Sequence, residues 1–223
     1  MSTEPGHEQS RIIDSERHKS YIRVAACGAY RHPERPTMKG IIFNLLEEIV
    51  GRESGEDAWD ALLEAAHLDG VYSSLGSYAD ADLMKLVQAM AASRKEPPEA
   101  VLRFFGARAI PLLAARYPIF FDSHRSTRSF LLTLNDIIHP EVRKLYPGAD
   151  VPDFGFDARA EDVLVMSYAS SRKLCALAEG LIHGAAAHFG EEARIAQPEC
   201  MLRGDRRCVL RITFGGREER RHG

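Results

Sequence analysis

Three polar side chains are spaced so that they could bind one anionic ligand. Tyr168, Ser170 and Arg172 lie two residues apart, and in an extended segment side chains at this spacing point to the same side. Two hydroxyls and a guanidinium would then face one position, and a guanidinium can bind a carboxylate through two parallel hydrogen bonds. The spacing therefore predicts a site for a ligand that carries carboxylates. The alternative is that Ser170 or Ser171 only caps the helix that follows.

His139 is a titratable group at the end of an otherwise apolar stretch. It shares an apolar helix edge with Leu132, because seven residues make nearly two turns. A neutral imidazole is a common metal ligand, although a half-buried histidine also occurs as an ordinary core residue. Pro140 removes a backbone donor beside the histidine, so the helix is expected to bend there.

Three cysteines form a second candidate site. Cys175 opens an Ala-rich segment, and Cys200 and Cys208 flank a turn at Gly204, so that a hairpin could bring their sulfurs together. A structural zinc site needs four Cys or His ligands. Gln197 stands where a fourth ligand could be, but glutamine is a poor zinc ligand. The alternative is that the cysteines are buried as small apolar residues.

The elements that must position these groups fall into two halves. Apolar periodicity predicts helices over 41–50, 58–67, 79–93, 97–113 and 127–145. Gly51 and the charged run after it are expected to end the first helix, and Pro111 to kink or divide the fourth. The remainder predicts strands over 162–168, 193–196 and 207–214 and a helix over 174–189. We therefore expect an α+β fold, with a helical N-terminal subdomain and a C-terminal subdomain of antiparallel sheet and helices.

Composition and charge restrict the possible functions. The chain has 223 residues, with 29 Lys+Arg and 32 Asp+Glu, giving a net charge of -3. This balance argues against a nucleic-acid partner, because phosphate binding needs a basic excess. No apolar run is long enough to span a membrane. The phosphate-binding, dinucleotide-binding, zinc-protease and serine-hydrolase motifs are missing, which argues against a nucleotide enzyme or a hydrolase.

The two ends of the chain differ from the rest. Residues 1–37 show no sustained period, so we predict a flexible extension there, a domain over 38–215 and a charged tail over 216–223. The N-terminus lacks the apolar core of a secretory signal. With only four cysteines, Cys27 among them, we expect a reducing cytoplasm.

Taken together, these motifs resemble the haem–nitric oxide/oxygen-binding (H-NOX) family of gas-sensor domains. The resemblance begins with MKGIIFN at 38–44 and passes through LNDIIH at 134–139 and YPGA at 146–149. It continues through Tyr-x-Ser-x-Arg at 168–172 and AEGL at 178–181, and it covers about residues 38–215. The combination of that histidine with the Tyr-x-Ser-x-Arg motif is specific to the family.

The resemblance implies a haem b cofactor held between the two subdomains. His139 would be the axial ligand of the iron, in keeping with the imidazole ligands of other gas-binding haems. Tyr168, Ser170 and Arg172 would bind the haem propionates. Pro152 would correspond to the proline that presses on the porphyrin and distorts it.

The resemblance also implies which gases bind. A hydrogen-bond donor on the distal side stabilises bound O₂, and oxygen-binding relatives supply a tyrosine at the position that is Leu177 here. The supporting polar position falls near Ala109, and the first helix would contribute Ile42 and Leu46 to the distal wall. Leu46 replaces a Trp of some relatives. We therefore expect the haem to bind NO and CO but not O₂.

The implied mechanism is that of a non-catalytic sensor. NO would weaken the bond from iron to His139 and so release the 127–145 helix, which is a two-state switch biased by a ligand. The chain shows no kinase or cyclase region. We therefore expect a separate partner, either a histidine kinase or a diguanylate cyclase/phosphodiesterase.

A subset of the family carries a zinc site of three Cys and one His. Cys175, Cys200 and Cys208 match its cysteines, but Gln197 stands where its histidine would be, so zinc occupancy stays open. The alternative function is a thiol or zinc redox regulator that uses these cysteines and in which haem is secondary or absent.

Overall fold

The computed structural model describes residues 37–215 and confirms the α+β fold. The α-helices in this range are α1 (Gly40–Ser54), α2 (Asp57–Ala66), α3 (Asp80–Arg94), α4 (Pro98–Arg116), α5 (Thr127–Leu131), α6 (His139–Leu145) and α7 (Cys175–His188). The strands are β1 (Thr37–Lys39), β2 (Ser77–Ala79), β3 (Asp153–Asp157), β4 (Val163–Ala169), β5 (Glu192–Glu199) and β6 (Cys208–Gly215). Thr37, assigned above to the extension, is the first residue of β1. The expectations for residues 1–36, including Cys27, and for 216–223 lie outside the described residues.

Helices α1 to α4 share one apolar core, in which Phe43, Leu86 and Phe105 are fully buried. Helix α1 does not end at Gly51 itself but in the charged run that follows it. The helix continues to Ser54 and ends where Gly55 takes a φ of 92°, a backbone angle that favours glycine. Within residues 37–215 no helix is both long enough and apolar enough to cross a membrane.

The C-terminal half contains a four-stranded antiparallel sheet in the order β3-β4-β6-β5. Side chains alternate along its central strands, so that Leu164 and Met166 of β4 pair in register with Ile212 and Leu210 of β6, and all four are buried. This alternation explains why β4 and β6 could be predicted. Strand β3 was missed because its sequence, DFGFD, contains few residues that favour strands.

Glycines let α4 and α7 approach each other closely. A Cβ atom added at Gly180 would lie 2.2 Å from the carbonyl oxygen of Arg103, and one at Gly106 would lie 2.5 Å from that of Leu177. The two backbones therefore nearly touch. Pro111 lies inside α4 without dividing it, because this packing holds the helix along its length.

The long helix predicted over 127–145 is not continuous. Helix α5 ends at Leu131, a π-helical turn spans Leu134–Ile138, and α6 begins at His139. Within the turn the Ile138 N–H donates to the carbonyl of Thr133, five residues back, at 3.0 Å. Such turns frequently occur at functional sites.

The π turn is joined to the sheet by a hydrogen bond. Asn135 donates its side-chain N–H to the carbonyl of Phe154, in β3, at 2.6 Å. Pro140 occupies the first turn of α6, a position where proline is well tolerated. The bend expected beside His139 therefore takes the form of a change from π-helical to α-helical backbone at that residue.

Candidate functional site

A cavity of about 320 Å³ lies where both halves of the domain contribute side chains. Its lining comes from β1, α1, α4, residues 117–121 and 130–154, strand β4, residues 170–174 and α7. Most of the lining is apolar. Such a cavity suits a large hydrophobic ligand that is oriented by a few polar groups.

His139 lines this cavity. Its ring stacks on Phe154, with centroids 5.4 Å apart, and in the described range its nitrogens make no hydrogen bond. Burial, together with the charge of Arg143, lowers the pKa of His139 to about 4. The imidazole is therefore neutral near pH 7, which is the form that ligates a metal.

The cavity also brings together Tyr168, Ser170 and Arg172. The Tyr168 hydroxyl accepts a hydrogen bond from the Leu174 N–H at 3.1 Å, and the Ser170 Oγ accepts one from the Arg172 N–H at 3.2 Å. Ser170 and Ser171 do not cap α7, because Leu174 occupies the N-cap position and the helix has no side-chain cap there. The two-residue spacing of Tyr168, Ser170 and Arg172 therefore places all three at one cavity and does not mark a helix cap.

Arg172 is held rigidly. Its Nε donates to Asp80 at 2.7 Å, its Nη1 to the carbonyl of Asp150 at 2.5 Å and its Nη2 to the carbonyl of Thr37 at 2.6 Å. Nη1 also lies 3.1 Å from a carboxylate oxygen of Asp150, so four of the five guanidinium N–H groups face protein acceptors and one is left for a ligand. Sequence analysis missed Asp80, because no local pattern indicates a contact across 92 residues.

Pro152, Ile42 and Leu177 also line the cavity. Leu46 does not, because it is buried in the core of the helical half, and its neighbour Leu45 lines the cavity in its place. Consecutive residues differ by 100° around a helix, and α1 is buried on more than one side. Periodicity could therefore not decide which leucine faces the cavity.

Two other residues expected at the cavity are also replaced there by neighbours in the chain. Ala109 lies in the helical core, whereas Ile110 and Leu113 line the cavity. Leu132 was expected to share an edge with His139, but Leu131 lines the cavity in its place.

A pair of tyrosines at the cavity was not predicted. The hydroxyls of Tyr117, just after α4, and Tyr146, just after α6, are hydrogen-bonded to each other. Burial raises the pKa of Tyr146, and the hydrogen bond from Tyr117 adds to this effect. The pair joins the end of α6 to the end of α4.

The three cysteine sulfurs meet in a separate buried cluster. The Cys175 and Cys200 sulfurs lie 3.7 Å apart, and those of Cys200 and Cys208 lie 3.9 Å apart. The Met201 N–H donates to the Cys208 sulfur at 3.3 Å. Burial raises the pKa of Cys208 to about 12. None of these sulfurs lines the cavity described above.

Comparison with known proteins identifies the class. A family model described as Haem-NO-binding matches residues 39–197. An H-NOX protein from Shewanella oneidensis, solved in the Fe(II)NO state, is 36% identical, with a TM-score of 0.76 over 80% of this chain and 100% of that one. An H-NOX from Shewanella woodyi, bound to IWP-051, is 29% identical, with a TM-score of 0.70 over 83% and 99%. An unliganded Fe(II) H-NOX protein from K. algicida is 26% identical, with a TM-score of 0.72 over 80% and 97%.

These matches place the fold and its cavity among the haem-based gas sensors. The chain belongs to the H-NOX family. A comparison with curated proteins finds no match.

The residues of the cavity fit a haem. A neutral imidazole without a hydrogen-bond partner in the described range faces an apolar space, and imidazole is the usual axial ligand of gas-binding haems. Tyr168, Ser170 and the remaining N–H group of Arg172 can bind the propionates.

Proposed function

We propose that this protein is a non-catalytic haem sensor that binds NO and CO, but not O₂, and passes its signal to a separate protein. The neutral, unpartnered imidazole of His139 at a mostly apolar cavity carries this proposal. A ferrous haem bound there would supply an iron that takes a diatomic gas.

Each polar residue of the cavity has a distinct role. His139 offers a lone pair to the iron without first losing a proton. Arg172 is fixed by Asp80 and by two backbone carbonyls, so it is oriented before a ligand arrives. Tyr168 and Ser170 would orient the propionate carboxylates of a bound haem, and Pro152, in the loop before β3, would lie against its ring.

The apolar lining favours NO and CO. The side chains that α1, α4 and α7 contribute to the cavity carry no hydrogen-bond donor; they are Ile41, Ile42, Leu45, Ile110, Leu113, Leu177, Ala178, Leu181 and Ile182. The hydroxyls of Tyr117, just after α4, and Tyr146 are hydrogen-bonded to each other and either can be the donor, so one of their two protons is used within the pair. Bound O₂ gains stability from a donor, so we propose that it is excluded.

The position of His139 suggests how a signal leaves the site. It is the first residue of α6 and follows the π turn directly. If a haem iron were held by His139, weakening of that bond would free His139 to move away from the cavity, and α6 would move with it. Such a change would bias a two-state equilibrium, and the hydrogen bonds of Asn135 and Tyr146 would limit the movement of α6.

An anaerobic absorption spectrum of the reduced protein tests this proposal. We expect a haem band that shifts with NO and with CO and does not change with O₂. The His139→Gly variant should lose the band or need added imidazole to recover it. His67→Gly is the matched control, because His67 lies outside the cavity at a φ of 53° that suits glycine. A stable oxy complex in the unmodified protein would contradict the proposed gas selectivity.

The partner follows from the family resemblance. We propose a histidine kinase or a diguanylate cyclase/phosphodiesterase in the cytoplasm. Phosphorylation or cyclic-dinucleotide turnover, measured with each candidate and with the sensor in its free and NO-bound states, would distinguish these partners.

The buried sulfur cluster favours a second candidate, a thiol-based redox regulator using Cys175, Cys200 and Cys208. A response to oxidant that survives His139→Gly and is lost in Cys200→Ser would favour this role over haem sensing.

A further inference from the structure

Helix α6 carries His139 but is held only weakly by side-chain packing. None of its seven residues is buried, and Val142 packs against the core while remaining partly exposed. The ion pair of Glu141 with Lys144 lies within the helix and does not attach it to another element. Because the stabilisation from packing is proportional to the apolar area that is buried, the position of α6 depends on what holds its two ends.

The start of α6 is attached to the sheet. Asn135, in the π turn before the helix, donates its side-chain N–H to the carbonyl of Phe154 at 2.6 Å. The His139 ring stacks on the Phe154 ring, and Ile138, the residue before His139, is buried. The first turn of α6 is therefore fixed beside β3.

The end of α6 is attached to α4 through two hydroxyl groups. Tyr146 is the C-cap residue of α6 and is buried. Its hydroxyl is hydrogen-bonded to the hydroxyl of Tyr117, which is the C-cap residue of α4. This bond therefore joins the last turns of two helices that are 29 residues apart in sequence at this point.

Helix α4 is itself firmly held. Arg116, its last residue, forms an ion pair with Glu48 of α1. Further back along the helix, the backbone of α4 lies against that of α7 at Gly106 and Gly180. The Tyr117 hydroxyl therefore belongs to a fixed element, and it provides a fixed point for the end of α6.

We propose that Tyr117 is a positioning residue for His139: by binding the Tyr146 hydroxyl it fixes the far end of α6, so that the helix moves by pivoting about that end. At 1.5 Å per residue, this end lies about 10 Å from His139 along the helix. A rotation of about 10° would then move His139 by about 2 Å. This inference rests on the function proposed above, because the position of His139 matters in this way only if its imidazole binds the haem iron.

Hydrogen exchange on the protein as purified tests whether the bond holds α6. Tyr117→Phe keeps the ring and removes one hydroxyl. Amide exchange within residues 139–146 should become about 2- to 12-fold faster, as expected for the loss of one hydrogen bond from a locally opening segment, whereas exchange in α4 and α7 should not change. Unchanged exchange in 139–146, or faster exchange throughout the domain, would overturn the proposal.

Tyr78→Phe is the matched control for this experiment. It makes the same substitution and also removes a hydrogen bond, because the Tyr78 hydroxyl accepts from the Ser73 N–H at 2.6 Å. Tyr78 does not line the cavity, and its bond does not involve α6. Exchange within residues 139–146 should therefore stay as it is in the unmodified protein.

The iron–histidine stretching band in the resonance Raman spectrum of the haem-loaded ferrous protein tests whether the effect reaches His139. A loosened α6 presents the imidazole over a wider range of angles, so the band should broaden and shift in Tyr117→Phe but not in Tyr78→Phe. Tyr146→Phe removes the same hydrogen bond and should have an equal effect, and the double variant should add nothing further.

Two Raman results would overturn the proposal: an unchanged band in both single variants, or effects that add in the double variant. Failure of the proposed function gives a different result, since the unmodified protein would then show no haem band. The positioning role of Tyr117 would be lost together with that function.

Discussion

The close approach of α4 and α7 makes Gly180 one of the most sensitive positions in the domain. In Gly180→Ala the new Cβ would lie 2.2 Å from the Arg103 carbonyl oxygen. Ordinary contact begins at about 3.4 Å, so the helices must separate by about 1.2 Å. The obstacle is backbone, which cannot rotate away as a side chain would.

The expected cost follows from this overlap. Overpacking a close-packed contact costs about 1–3 kcal/mol. For a domain of this size each kcal/mol shifts Tm by about 2–4 °C, so Gly180→Ala should lower Tm by about 2–12 °C. Leu177 and Leu181 of α7 line the cavity, so the haem absorption band should move as well.

Gly51→Ala is the matched control. It makes the same change inside α1, where an added Cβ meets nothing within 4 Å. Alanine favours a helix over glycine by about 1 kcal/mol, so this variant should be more stable than the unmodified protein. The assay is urea unfolding followed by circular dichroism, with the slope m compared between variants.

The two variants should therefore change stability in opposite directions. If Gly180→Ala is as stable as the unmodified protein with an unchanged m value, the backbone contact does not limit the approach of the two helices. The inference that the backbones of α4 and α7 nearly touch would then be refuted.

Three further predictions concern the cavity. Leu177→Tyr adds a hydroxyl to the apolar lining and should yield a stable ferrous-oxy spectrum, whereas Leu177→Phe should not. Arg172→Ala leaves the Asp80 carboxylate buried without its cation and should cost about 3 kcal/mol of unfolding free energy, with partial recovery in Arg172→Lys. Haem-free protein should lose stability as the pH falls from 6.5 towards 4, because His139 has a pKa of about 4 when folded and 6.5 otherwise, so the unfolded chain binds the proton first. For one such group the unfolding free energy should change by at most about 1.4 kcal/mol per pH unit, and by less here because His139 is partly exposed. This pH dependence should be absent in His139→Gln. An equal dependence in that variant would assign the titration to other groups.

The sequence predicts the elements whose side chains alternate regularly. Strands β4 and β6 and helices α2 and α3 have clear periods, because one face is buried and the other is not. Gly51 and Pro111 both lie inside their helices, because tertiary packing outweighs a local preference of about 1–3 kcal/mol. Strand β3 has too little pattern to be recognised and exists because it pairs with β4.

The polar part of the site was predictable, and its apolar part was less so. His139 and the Tyr-x-Ser-x-Arg motif can be recognised from residue type and spacing alone. Leu45, by contrast, could not be separated from Leu46, since both belong to a helix buried on more than one side. The Tyr117–Tyr146 bond and the Asp80–Arg172 pair join distant segments, and a single sequence carries no signal for such contacts.

The π turn before His139 has a consequence for comparing this chain with its relatives. One α turn takes 3.6 residues and one π turn about 4.4, so together they bring a residue eight positions earlier into phase with the histidine. That residue is Leu131, which lines the cavity, whereas an unbroken helix would have presented Leu132. The turn thus behaves as a single inserted residue. A pairwise alignment with a relative that lacks the π turn therefore needs a one-residue gap between Leu131 and His139, and without that gap every position upstream in α5 would be matched to the wrong helical face.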